Sequence, residues 1–382
     1  MKILVVSDKF KGSLTSQQAG EAIAKGIRAA ACQQGRSVEV EVLPVADGGD
    51  GLLEAIAVQV PVRRFQVESL DPLERPMMAD LLMAEDGSCA YIEMARTCGL
   101  WLLDSQQRNP RHTTTWGLGE LLKFAVSKLR VPRILIGLGG SATNDGGVGL
   151  LAALGYRFEA DGELSDDVAA YLSSIRKVDD AAVSRVLPDL GRVQIDVATD
   201  VENPLLGPQG ATFVFGQQKG GSRQDLEALE KGMAHWASVA ADFLGEDYST
   251  TPGTGAAGGV GFALSAFLKG RLCRGWEMVA SISDLESKIQ QADWIITGEG
   301  CFDAQSLQGK LPYGVAQLCA RYQKPLSLFC GRSKVSPMES LQAGIQDVFS
   351  LHDIEKRRDL CLKFGAQLLT FLAQSVAVQK FQ

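Results

Sequence analysis

The most constraining stretch in this chain begins at Arg133. The apolar run Ile134-Leu135-Ile136 stops in Gly137-Leu-Gly-Gly-Ser-Ala-Thr-Asn-Asp-Gly-Gly-Val-Gly149, and Leu150-Leu-Ala-Ala-Leu-Gly155 then reads as a helix with a glycine stop. Strand, glycine loop and helix in that order gather backbone N–H groups and a helix N-terminus around an anion. Six glycines between 137 and 149 let backbone come close where a Cβ would obstruct. The stretch therefore predicts a phosphate site. The same residues would also serve an ordinary tight strand-to-helix turn.

A chain of 382 residues exceeds the size at which one core usually stops growing, so two domains are expected. The net charge of −7 gives no reason to expect nucleic acid or an acidic membrane surface. A phosphate must then be held locally, by loop amides and a few placed cations. Eight scattered cysteines without a Cys-x-x-Cys pair suit reduced thiols and a cytoplasmic location. Three well-separated histidines argue against a histidine-rich metal site. No secretory signal is read at Ile3–Val6, and the apolar stretch 360–378 carries Lys363, Gln367 and Gln374 at helical spacing, as an amphipathic closing helix would.

Strands are expected at Lys2–Val6 and Val38–Val45, each followed by a polar loop and a helix, which argues for parallel α/β organisation. From Arg64 to Met94, short strands linked by turns suggest an antiparallel meander. Helical periodicity returns over 113–129 and feeds the opening loop. Farther on, Val193–Ala198 and Thr212–Phe215 read as strands and Ser222–Leu244 as a long helix. The last hundred residues resume the α/β rhythm, with strands near Asp293–Thr297, Leu326–Cys330 and Asp347–Leu351. The expected architecture is a doubly wound, Rossmann-like parallel-sheet domain (1–63, 109–155, 279–382) interrupted by a second α+β domain (64–108, 156–278).

Besides the opening loop, four polar loops could carry chemistry, because ligands collect outside the carboxyl ends of strands in doubly wound sheets. Ser7–Ser13 offers Lys11 for a phosphate or a carboxylate. Asp47-Gly-Gly-Asp-Gly51 has the paired acids that suit magnesium but lacks EF-hand spacing. Thr199-Asp200-Val-Glu-Asn203-Pro204 puts an acid directly after a strand. Thr297-Gly-Glu299-Gly-Cys-Phe-Asp303, with Lys310 close behind, joins two acids and a cation. Each of the four could also be a plain turn. Gly253-x-Gly-x-x-Gly258 has dinucleotide spacing but follows no apolar strand, and no Walker Gly-Lys-Ser/Thr occurs. A kinase would be of a non-Walker type. A nicotinamide-dependent dehydrogenase of a small hydroxy acid and a non-catalytic sugar-phosphate-binding protein stay as alternatives.

Taken together, these blocks resemble the bacterial type I glycerate kinase family. The matching text is Asp8-x-Phe-Lys-Gly-Ser13, Ala46-Asp-Gly-Gly-Asp-Gly51, Asn109-Pro110 with Thr113-Thr114, and Gly137-x-Gly-Gly-Ser-Ala-Thr-Asn-Asp-Gly-Gly147. It continues with Ala198-Thr-Asp-Val-x-Asn-Pro-Leu205, Phe215-Gly-x-Gln-Lys-Gly220, Pro252-Gly-x-Gly-Ala-Ala-Gly-Gly259, Thr297-Gly-Glu-Gly-x-x-Asp303 and Gly309-Lys-x-Pro312. The chain departs from the family pattern at Lys9, Asp50, His112, Trp116 and Cys301, the last replacing a common arginine.

The resemblance implies ATP-dependent, magnesium-assisted phosphorylation of D-glycerate, most often at the 2-hydroxyl, in a cleft between a Rossmann-like domain and a second α/β domain. Phosphoryl transfer needs alignment, charge neutralisation and a group that orients the hydroxyl. On loop position and motif match, Asp200 is the expected base, with Asp303 as a second candidate, and Lys11 and Lys310 stabilise transferred charge. Asp47 and Glu299 are expected near Mg2+. Substrate and ATP contacts are expected at Asp8, Ser13, Gly48, Gly49, Thr114, Gly139, Gly140, Ser141, Thr143, Asn144, Asp145, Gly146, Asn203, Gly255, Gly258 and Gly298. A homo-oligomer is compatible with the sequence, which sets no subunit number.

Overall fold

The computed structural model describes residues 1–45, 48–49, 51–161 and 167–382, with the Gln308 side chain left out. Its strands in chain order are β1 (Lys2–Ser7), β2 (Glu39–Pro44), β3 (Val62–Leu70), β4 (Pro76–Ala84), β5 (Ala90–Glu93), β6 (Arg133–Gly137) and β7 (Arg157–Glu159). β8 (Lys177–Asp179), β9 (Gln194–Ala198), β10 (Arg271–Cys273), β11 (Trp294–Phe302), β12 (Leu326–Ser333) and β13 (Asp347–Ser350) follow. The class is α/β. The chain divides into two compact units, Met1–Asp47 with Glu54–Val60 and Trp276–Gln382, and Gly48–Leu53 with Pro61–Gly275.

The first unit is built on an all-parallel sheet in the order β13-β12-β11-β1-β2. Parallel strands are covered on both faces, which explains the unbroken apolar text Ile3-Leu4-Val5-Val6 and Trp294-Ile295-Ile296, all buried. Numbered within the unit, the strands run 2-1-3-4-5, the flavodoxin-like order rather than the dinucleotide-binding one. The order reverses between β1 and β11, which makes their carboxyl ends the switch point where ligands gather. Thr15 and Gln18 form a capping box for helix Ser16–Gln33. That helix packs on the closing helix Gly365–Lys380, and a Cβ at Gly26 would stand 2.2 Å from the Thr370 carbonyl oxygen. Only glycine permits so close an approach.

The second unit holds the sheet β10-β9-β6-β5-β4-β3. β3, β4 and β5 pair antiparallel, as the meander reading expects. β5 then pairs parallel with β6, β6 with β9 and β9 with β10. Segment 109–155, expected with the chain termini, therefore belongs here. An apolar run such as Ile134–Ile136 fits any buried parallel position, and long-range partners choose which. One of them is visible: the buried Asp196 of β9 bonds Arg133 of β6 at 2.6 Å and Arg271 of β10 at 2.9 Å.

Thr212–Phe215, expected as a strand, lies in helix Ala211–Phe215. A run this short carries too few residues for periodicity to separate helix from strand. The closing helix is split into Arg358–Lys363 and Gly365–Lys380. Among the described residues, no helix is long and apolar enough to cross a membrane.

Candidate functional site

Four parallel strands of the second unit end near one another, and the glycine loop leaves from one of them. After β6, the Leu138 N–H bonds the Ala198 carbonyl at 3.1 Å and the Gly139 N–H bonds the Gly48 carbonyl at 3.0 Å. A Cβ at Gly139 would lie 2.1 Å from Gly49 Cα, so these two glycine stretches touch backbone to backbone. The flanks of the turn are pinned as well. Leu100 donates to the Gly140 carbonyl at 2.8 Å and Ala142 to the Cys98 carbonyl at 2.8 Å. Between those pins Gly139, Gly140 and Ser141 reach solvent, with Gly140 at φ 74°. The N–H groups of Gly140 and Ser141 donate to no backbone group among the described residues.

The following half of the loop is interior. The Asp145 carboxylate accepts from Thr115 N (2.9 Å), Thr115 Oγ1 (2.7 Å), Gly147 N (3.0 Å) and Gly149 N (3.2 Å). Burial pushes its carboxyl above the usual range, and those donors pull it back. The first amides of helix Val148–Ala153 are thus satisfied from within, Leu150 N by the Thr115 hydroxyl at 2.9 Å. Gly146 is covered by Trp236, whose indole N–H donates to its carbonyl at 3.2 Å. Asn144 Nδ2 bonds Thr212 Oγ1 at 3.1 Å, while Asn144 Oδ1 and Thr143 Oγ1 are buried without partners. Gly258 belongs to the same packing: its Cβ would meet the Thr143 carbonyl oxygen at 2.1 Å, and that of Gly255 the Pro204 carbonyl oxygen at 2.1 Å. Thr143, Asn144, Asp145, Gly146, Gly255 and Gly258, expected at the ligand, are all buried in or against this half of the loop.

Around that apex, Asp200 follows β9, with one carboxylate oxygen accepting from Gly275 N at 3.0 Å. The Asn203 amide donates to the Gln209 carbonyl at 2.7 Å, and the buried Thr114 hydroxyl accepts from Trp116 N at 3.2 Å. Two groups here escaped sequence reading. Glu93, buried at the end of β5, accepts from Leu53 N at 3.2 Å and faces Arg96 Nε at 3.3 Å. Lys219, only 2% exposed, donates to the Thr143 carbonyl at 2.7 Å. An acid closing an apolar strand, and a lysine between glycines, were the available signals. Asp47 lies outside the described residues.

In the first unit, the switch point brings together the loops expected from sequence. Asp8 N donates to the Gly298 carbonyl at 2.9 Å, and Gly300 lies so close to residues 10 and 11 that a Cβ would stand 3.1 Å from Phe10 Cα. Asp8 accepts from Lys9 N at 2.7 Å, while the Ser13 hydroxyl donates to the Leu362 carbonyl at 2.7 Å. The stretch 298–302, read as a loop, is a strand extension in register with β12, Glu299 opposite Cys330. Glu299 is 7% exposed and its Oε1 has no partner. Burial raises its carboxyl to about 7, against the pull of the Ser306 hydroxyl and the Lys310 charge. Lys310 donates to Gln305 Oε1 at 3.4 Å, Asp303 Oδ1 accepts from Gln305 N at 3.1 Å, and Lys11 is exposed. Among the described residues, no group of three or more His, Cys, Asp or Glu is placed to hold a metal.

Glycine turns and acids that collect at the carboxyl ends of parallel strands, without a Walker lysine, define an α/β protein whose ligand site lies at those strand ends and is not of the Walker type. The glycerate kinase family model matches residues 3–380, and the chain belongs to that family. The glycerate kinase of Bacillus subtilis (strain 168) is 40% identical over 352 residues, covering 92% of this chain and 90% of its own. The glycerate 2-kinase of Escherichia coli (strain K12) is 38% identical over 352 residues with the same coverage. A glycerate kinase 2 crystal structure from Salmonella typhimurium LT2 has a TM-score of 0.81 at 36% identity, covering 100% of this chain and 98% of that one.

Proposed function

We propose that this chain transfers the γ-phosphate of ATP to the 2-hydroxyl of D-glycerate, giving 2-phosphoglycerate, as a cytoplasmic enzyme. Family membership supports the reaction class, and the relative that is a glycerate 2-kinase supports the choice of hydroxyl. The observation that carries the site is Glu299, a nearly buried carboxyl with one partnerless oxygen at the switch point of the first unit. A buried carboxylate oxygen without a hydrogen-bond partner calls for an explanation, and a bound cation supplies one.

In this reading the exposed amides of Gly140 and Ser141 contact ATP phosphate oxygens, and Thr143–Gly146 hold that turn in shape. Asp200, held by Gly275 N, accepts the glycerate hydroxyl proton. Lys11 and Lys310 counter charge on the transferred group or the glycerate carboxylate. The open oxygen of Glu299 fits a divalent cation, and Glu299 with Asp47 would hold Mg2+. Bound there, the ion would neutralise charge on the phosphate oxygens.

Incubation with ATP, Mg2+ and D-glycerate, coupled to ADP detection and followed by phosphorus NMR, tests the proposal. Glycerate-dependent ADP formation with 2-phosphoglycerate as product is expected. Product at the 3-position overturns the regiochemistry. An absorbance change with nicotinamide and no ATP, or ligand stabilisation without turnover, overturns the kinase reading.

A further inference from the structure

Lys219 ends the short 3₁₀ turn Gln217–Lys219 and is buried, yet among the described residues no carboxylate contacts its ammonium. A lysine is almost never fully buried unless it is paired. Here the recorded partner is the main-chain carbonyl of Thr143, at 2.7 Å, two residues from the exposed apex of the glycine loop. Among the described residues, Asp145 is the charged group that acts on it, from the loop side; Thr143, Asn144 and Thr212 around that turn are neutral. Asp145 is already committed to Thr115, Gly147 and Gly149. A strut for Thr143 needs one N–H and no charge. Burying a cation without a contacting counter-ion is a standing cost that an uncharged donor would avoid.

We propose that Lys219 is a positioning residue that keeps a positive charge behind the glycine loop and thereby sets the affinity for the ATP phosphates. The inference rests on the reading of Gly139–Ser141 as the phosphate contact. Through Thr143, the ammonium polarises the peptide that leads into the buried half of the loop, and its field acts across the low-dielectric interior. Burial brings its pKa down to about 7, so the charge is incomplete at neutral pH. A bound anion favours the protonated form, so affinity for ATP falls as pH rises through that value.

Three measurements test this. In the wild type at saturating Mg2+, KM for ATP is expected to rise between about pH 6 and pH 8.5, while a flat profile overturns the proposal. Lys219→Gln keeps a terminal N–H donor without the charge, and Lys219→Met removes both. About a tenfold rise in KM for ATP is expected in either variant, with kcat and KM for glycerate changed less than about threefold and the pH dependence flattened. Wild-type KM and pH profile in Lys219→Gln reduce Lys219 to a strut and overturn the proposal. Gly140→Val separates the two readings. If it leaves KM for ATP unchanged, the phosphate-loop reading fails; if it raises KM while Lys219→Gln does not, only the Lys219 inference fails.

Discussion

A carboxylate that is nearly buried and has an unpartnered oxygen costs stability when it ionises, and Glu299 is such a group. Its folded-state pKa of about 7 lies above the ordinary carboxyl value of 4.5, so the folded protein holds the extra proton between those values. Stability therefore falls as pH rises through that window and levels off above it. Glu299→Gln should raise the free energy of unfolding at about pH 8 by at most about 3 kcal/mol, seen as a higher melting temperature, with no gain near pH 4.5, and should lower turnover. Equal melting temperatures at both pH values would show that Glu299 carries no ionisation cost. Asp200→Asn should lower kcat by about a hundredfold or more while stability holds, because Oδ1 can still accept from Gly275 N. Near wild-type turnover would remove Asp200 as the base. Both acids were legible in the chain, as polar residues following apolar runs. Lys219 was not, because its importance lies in burial against Thr143, 76 residues away.

Glycine has two jobs in the loops of this chain, and they can be told apart by substitution. At Gly258 a side chain would strike the Thr143 carbonyl oxygen, and φ is 72°. Gly258→Ala should cost about 2 kcal/mol or more and displace the glycine turn, with a higher KM for ATP. At Gly35, φ is 64° but nothing lies within 4 Å of a Cβ. Gly35→Ala should cost only about 1 kcal/mol and leave kinetics unchanged. Comparable losses in both variants, measured by denaturant unfolding, would mean that loop contact adds nothing to the backbone penalty. From the sequence alone, 137–149 is one polar loop. Packing splits it, since Trp236 from a distant helix covers Gly146 and residues 258–259 abut 143–146. A sequence window records polarity and spacing, not which side of a turn another segment will cover.

The whole molecule joins strands from both ends of the chain, β1 and β2 with β11 to β13, in one parallel sheet. All eight cysteines are free thiols in this fold, and burial raises Cys89 to about 11 and Cys98 and Cys319 to about 12. A thiol reagent should react promptly with the exposed Cys32 and Cys301, and with all eight cysteines in denaturant without reductant. Fewer than eight in denaturant would reveal a disulfide. Scattered cysteines, apolar runs, the Thr15 capping box and the ordered glycine blocks are local text. By themselves they determined the α/β class, many of the elements and the family. Strand partners, the assignment of 109–155 to the second sheet, the flavodoxin-like order and the burial of Lys219, Asp145 and Glu299 were decided only by tertiary structure. Propensity, capping and periodicity act within a few turns of chain, whereas pairing and burial depend on segments hundreds of residues apart that meet only when the chain folds.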